Sequence, residues 1–244
     1  MKKIVFVVLI VLLTAVPAMA KTVIDLTGTL AQDEFKEFST ELGLALSYIP
    51  LAPAEPLGGG VLPHFDIGVE ATSVDINSKA SYWTEAATDI PSMLLFPKLH
   101  AQLGLPVVPI DIGVVYSKVP DNDIKLTGGE IKWAILKGST LTPALALRAA
   151  YTKLEGVDVL DLDTKSLDVS ISKGFAMLTP YAGIGLVRIT SEEKDPSVVL
   201  SKEEITETKG FVGMKLSLLP VLNIVAEADF ASINMYSFRL NLHF

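Results

Sequence analysis

The chain has 244 residues, half of them hydrophobic, a formal charge of −8 and no cysteine. Lack of cysteine excludes a lipoprotein anchor, a disulfide scaffold and a thiolate metal site. The acidic balance gives no footprint for nucleic-acid binding.

Met1-Lys2-Lys3, the apolar run Ile4 to Leu13 and the small-x-small site Ala18-Met19-Ala20 form the three parts of a secretory signal peptide, residues 1–20, with cleavage expected before Lys21. The apolar run is about half the ~20 residues that a spanning helix needs. Residues 21–63 form a second unit. Gln32-Asp33-Glu34 starts a predicted amphipathic helix, with Thr29 as its cap and Phe35, Phe38, Leu42, Ala45, Leu46 and Ile49 at helical spacing. A rival parse makes 42–49 a strand. Pro50, Pro53, Pro56, Gly58-Gly59-Gly60 and Pro63 then describe a tether without regular structure. A helix on a tether can enter a barrel mouth, lie on a membrane surface or dock on a partner.

From 64 to 244 the chain alternates apolar and polar residues in short runs, the period of a strand with two unlike faces. No segment there reads as a transmembrane helix: Val107 to Val115 contains Pro109 and Asp111, and Leu216 to Ala228 contains Pro220, Asn223 and Glu227. Ile110, Ile112, Val114 and Tyr116 oppose Asp111, Gly113, Val115 and Ser117; Leu145, Leu147, Ala149 and Tyr151 oppose Ala146, Arg148, Ala150 and Thr152. Ten such runs are expected, with a bulge at Gly128-Gly129. Tight turns near Leu105-Pro106, 137–140, 173–175 and Leu219-Pro220 alternate with generally longer connections at 76–94, 119–123, 155–163 and 191–203, and with the short 232 region. The last nine residues, Tyr236 to Phe244, alternate without a break and end on Phe.

This ending resembles the carboxy-terminal signature of Gram-negative outer-membrane β-barrel proteins, with Tyr236, Phe238, Leu240, Leu242 and Phe244 as its hydrophobic positions. The resemblance implies export to the outer membrane and insertion by the barrel-assembly machinery, with lipid and lipopolysaccharide as surroundings. The expected fold is therefore all-β: a closed antiparallel up-and-down transmembrane β-barrel of about ten strands, with a short N-terminal amphipathic helix.

On this phase the lumen-lining candidates are Glu70, Lys98, His100, Asp111, Glu130, Lys132, Arg148, Asp168, Lys215, Glu227 and Arg239. Either they pair across a filled interior, or they line a narrow polar path with the cations on one side. His100 near Asp66 or Asp111 is a general-base geometry in principle. The chain contains no GxSxG or HExxH, so no enzyme, metal site or cofactor is expected. Asp158, Asp161 and Asp163 have ligand-like spacing in an expected loop but match no EF-hand pattern. Tyr82-Trp83 is read as an exposed pair in the longest loop. The leading expectation is a small passive channel or transport protein for a small solute, its lumen narrow or plugged. The alternative is a structural or surface-interaction barrel with a filled interior, acting through its loops.

Overall fold

A computed structural model describes residues 30–58, 60–86, 92–119, 123–195 and 198–244. The signal-peptide reading and the Thr29 cap lie outside the described residues. Ten strands run β1 (His64–Asp75), β2 (Met93–Gly104), β3 (Ile110–Lys118), β4 (Lys125–Lys137), β5 (Ala144–Glu155), β6 (Leu160–Ser172), β7 (Leu178–Glu193), β8 (Glu203–Leu219), β9 (Leu222–Phe230) and β10 (Asn234–His243). Each pairs antiparallel with its sequence neighbours, and β1 closes on β10, leaving no free edge. At that seam Phe65 and Phe244 exchange both backbone hydrogen bonds, at 2.9 and 2.8 Å.

The connections sort onto two ends. One end carries the short turns between β2–β3, β4–β5, β6–β7 and β8–β9. The other carries the β1–β2 loop, which contains the short helix α2 (Ser81–Ala86), and the β7–β8 loop. Two expected boundaries move. The β5–β6 connection is only 156–159, so Asp161 and Asp163 belong to β6. Gly128 and Gly129 pair in unbroken register with Val115 and Val114 on one side and with Thr152 and Tyr151 on the other. The register shift of β4 falls instead between Ala134 and Leu136. Leu126 faces inward, although its apolar side chain suggests lipid, and that misleading residue creates the apparent parity change.

Over the short-turn half the outward side chains form an apolar belt that includes Ile67, Leu99, Ile112, Ile131, Leu167, Ile184 and Val212. Tyr116, Tyr151, Phe230 and Tyr236 face outward towards the long-loop end, and Phe65, Trp133 and Phe244 towards the other. Towards the long loops the polarity inverts. Lys125–Glu155, Lys153–Asp161 and Arg188–Glu204 pair on the outer surface. Leu126, Leu154, Leu162, Ile189 and Ile205 turn into the barrel as in a water-soluble core. The outward apolar zone therefore ends below the long-loop mouth, near the outward Tyr side chains.

That apolar interior exists because it is occupied. Helix α1 (Gln32–Leu46) begins outside the long-loop mouth and runs inward. Ala31 holds the cap position, and its N–H donates to the Glu34 carboxylate at 3.1 Å. From Phe38 to Ala54 every residue is buried, so the last turns have no solvent face. Phe35, Phe38, Leu42, Leu44, Leu46 and Ile49 join the inward leucines and isoleucines in one core. Gly43 allows the closest approach: a Cβ there would lie 2.4 Å from Cγ2 of Ile189 on β7. Ser47 ends the helix, its backbone N–H and hydroxyl both donating to the Leu44 carbonyl.

Candidate functional site in the lumen

Below α1 the chain continues through the lumen as an irregular segment, residues 47–58, to the short-turn end. An irregular backbone away from water needs a partner for each N–H and C=O. The three prolines remove some donors, and charged wall residues satisfy many of the remaining groups. Thr152 donates to the Leu46 carbonyl at 2.9 Å and Lys209 to that of Tyr48 at 3.2 Å. Leu51 sits at φ +45, a left-handed conformation that costs a side-chain-bearing residue roughly 1–3 kcal/mol. Its N–H donates to Glu227 at 3.0 Å, and the same carboxylate oxygen accepts the Tyr181 hydroxyl at 2.7 Å. Lys132 donates to the carbonyls of Pro53 and Glu55 at 3.1 and 2.9 Å. Asp111 accepts from the N–H groups of Leu57 and Gly58 at 2.8 and 3.2 Å. Gly58 then passes so close to Gly104 that a Cβ on Gly104 would lie 2.2 Å from its nitrogen.

All eleven candidate residues point inward. Ten are buried, and Lys215 is partly exposed. They gather in groups of mixed sign rather than cations against acids. Glu70, Lys98, His100 and Arg239 form one group: Lys98 lies 3.7 Å and His100 Nδ1 3.0 Å from Glu70, and Arg239 Nη1 lies 2.9 Å from that same ring nitrogen. One nitrogen cannot both donate to Glu70 and accept from Arg239, so the imidazole tautomer selects between them. The other ring nitrogen meets the Tyr48 hydroxyl at 2.9 Å. His100 thus has Glu70 as its acid, not Asp66 or Asp111, and Tyr48 of the threaded segment covers its far side. Lys132 and Asp111 pair at 2.9 Å. Arg148 lies 2.8 Å from Glu130 and 3.7 Å from Asp168.

The sequence reading missed Lys209, which pairs with Asp229 at 3.0 Å, and Tyr48. Lys209 shares the parity of Lys215 along β8, but the inward Phe211 between them hides the polar face. Tyr48 lies between α1 and β1, off all ten strands from which the lumen candidates were read.

At the long-loop mouth the expected exposed pair is largely covered. Trp83 is 2 % exposed. It packs edge-on to Phe38 with centroids 4.9 Å apart and donates its indole N–H to Glu41 at 2.6 Å. The Tyr82 hydroxyl donates to the same carboxylate at 2.9 Å. Partial burial, and then the Glu41 hydrogen bond, push the Tyr82 hydroxyl up to about 12. Ser81 donates to Glu34, which this bond and then the Ala31 N–H hold below its ordinary value. So α2 is a cap strapped to α1. No group of three or more metal-ligating side chains occurs among the described residues.

At the short-turn end a cavity of about 300 Å³ remains between the tether and the walls of β8, β9 and β10.

No protein-family model matches the chain, and no curated protein does. It is similar to the N-terminal β-barrel domain of Pseudomonas aeruginosa OprF, at 16% identity over 73% of this chain and 97% of that one, with a TM-score of 0.36. It is also similar to the transport unit of the autotransporter AIDA-I from Escherichia coli, at 10% identity over 87% and 99%, TM-score 0.37. Neisserial surface protein A is a third, at 9% identity over 74% and 95%, TM-score 0.33. These neighbours are outer-membrane β-barrels.

Proposed function

We propose that this chain is an integral outer-membrane barrel whose interior is filled by its own amino-terminal segment, and that it acts through its long-loop face rather than as an open pore. The observation that carries this reading is the occupation of the lumen from mouth to mouth by residues 30–58, an apolar helix followed by a backbone bonded to the wall. Eight large apolar side chains of that segment (Leu30, Phe35, Phe38, Leu42, Leu44, Leu46, Ile49 and Leu51) are buried in the core, each contributing roughly 1.5–3 kcal/mol before entropy is counted. Displacing them at rest is therefore costly. The apolar belt supports the membrane setting, and the amino-terminal leader supports export. The strand from Tyr236 to Phe244 is the proposed signal for the assembly machinery.

A second reading, a small-solute channel opened by withdrawal of the segment, is favoured by the residual cavity at the short-turn end. Planar-bilayer recording separates the two. The full chain is expected to be silent and a chain lacking 30–63 to give discrete conductance steps. Steady conductance from the intact chain overturns the filled reading.

A further inference from the structure

His64 opens β1 and His243 ends β10, so the two meet across the seam that closes the barrel. Beside them Phe65 and Phe244 exchange both backbone hydrogen bonds. His64, Asp66 and His243 share the inner face, with Asp66 opposite His243 in the register. The two imidazoles lie parallel, with 6° between their planes and 5.5 Å between centroids. Both are partly exposed, His243 on the lining of the short-turn cavity. Neither has a hydrogen-bond or ion-pair partner among the described residues. A Cβ on Gly60 would lie 3.8 Å from His64 Nε2 and meet nothing else, so that nitrogen borders open space. The charged groups nearby are engaged: Lys132 pairs with Asp111, Lys215 and Glu55 act on each other, and the Asp66 carboxylate accepts from the Asn241 amide. The two imidazoles are left with each other.

We infer that His64 and His243 form a two-imidazole clamp for a divalent transition-metal ion of the zinc type, and that the ion pins β1 to β10. Imidazole is the commonest metal ligand. It suits Zn²⁺, Cu²⁺ and Ni²⁺, whereas Ca²⁺ and Mg²⁺ take oxygen. Two imidazoles on one tetrahedral ion, each bonded at ~2.0–2.1 Å, have centroids roughly 5 Å apart; the observed pair is already at that spacing. Parallel rings need only turn about their Cβ–Cγ bonds to aim one nitrogen each at a shared ion. Asp66 acts on the His243 ring more strongly than Lys215 does, and its carboxylate can accept a hydrogen bond from an ion-bound water while offsetting the ion's charge. With two protein ligands the other positions hold water, so affinity falls well below that of a four-ligand structural site. The ion meets both rings only when the seam is closed, so its binding stabilises the closed ring. This holds whether or not the lumen conducts.

The test is calorimetry on the full chain in detergent, without a histidine tag and after chelator treatment, with Zn²⁺ as probe and Mg²⁺ and Ca²⁺ as comparisons. Saturable binding of one Zn²⁺ per chain is expected near neutral pH, with Mg²⁺ and Ca²⁺ at least tenfold weaker. Saturating Zn²⁺ should also raise the midpoint of heat-modifiable gel migration. His64→Gln and His243→Gln are each expected to weaken Zn²⁺ at least tenfold and to abolish that rise, while the metal-free variants still migrate as folded barrels. If His243→Gln, at the end of the last strand, does not assemble, His64→Gln reads the clamp from the other side of the seam. Absence of saturable Zn²⁺ binding overturns the inference, as does an affinity unchanged in the folded variants. Mg²⁺ or Ca²⁺ binding as tightly as Zn²⁺ overturns it in favour of a carboxylate site, and Zn²⁺ binding that leaves the midpoint unmoved overturns the link across the seam.

Discussion

Replacing Gly43 tests whether the helix is locked in the barrel. An Ala Cβ at that position would lie 2.4 Å from Cγ2 and 2.8 Å from Cδ1 and Cγ1 of Ile189, a fully buried β-branched side chain. Ordinary contact needs about 3.5–4.0 Å, so helix and strand must part by about 1 Å. Overpacking of this kind costs about 1–3 kcal/mol, against at most about 1 kcal/mol regained from helix propensity. Gly43→Ala should therefore destabilise by up to about 2 kcal/mol, and Gly43→Val, with two more methyls against the same wall, by about 3 kcal/mol. Trp83 reports the event, because it packs on Phe38 of the helix. In a Trp133→Phe background its emission should shift to the red at lower denaturant in Gly43→Val than in the parent. Adding Ile189→Ala should recover part of the loss, so that the double variant is less damaged than the sum of the singles. A Gly43→Val protein as stable as its parent, or strict additivity with Ile189→Ala, refutes the close fit.

Glu41→Gln keeps the shape but removes the charge that holds Trp83 and Tyr82; it should cost about 1–3 kcal/mol and speed amide exchange in α2. The Tyr82 hydroxyl is raised in the fold, so its contribution is complete below pH 10.0, its ordinary value, and is lost as pH climbs towards about 12. Tyrosinate absorbance should rise in step with release of Trp83, and Tyr82→Phe should abolish the coupling. Glu34 is lowered, so its contact with Ser81 stabilises above pH 4.5 and fades as pH falls through the lowered value; amide exchange in the first turn of α1 should rise in acid, and Ser81→Ala should flatten that response. Arg148→Met leaves Glu130 and Asp168 buried without their shared cation, which should cost about 3–5 kcal/mol. The temperature of heat-modified gel migration should drop accordingly, and an unchanged midpoint would deny the triad a structural role.

Much of the barrel was legible because a strand in a two-solvent setting must alternate, and ten runs with paired turns leave few topologies. Alternation gives parity, however, not which parity faces lipid. Around Ile67, Leu99 and Ile131 the apolar face is outside, as the proposed hydrocarbon surroundings require. Around Leu126, Leu162 and Ile189 it is inside, because α1 is the solvent there and water lies beyond. The Gly128-Gly129 misreading arises at that inversion. Trp83 misled for a related reason: its loop position suggested exposure, while the residue that buries it, Phe38, is far away in sequence. The eleven lumen candidates were found by parity alone. Their pairing was not, since strand register decides that Arg148 meets Glu130 and Asp168, and the threaded backbone decides what Lys132 and Glu227 hold.

A needle that carries its thread through a ring and then becomes the ring leaves its two tails on opposite sides. With ten strands alone, both ends of the chain would share one rim of the barrel. The inward passage of residues 30–58 adds an eleventh crossing, so Leu30 lies at the mouth where α2 sits and Phe244 at the other rim. Leu30 is thereby held on the same face as the long loops, and the closed ring of strands surrounds the segment that leads into β1.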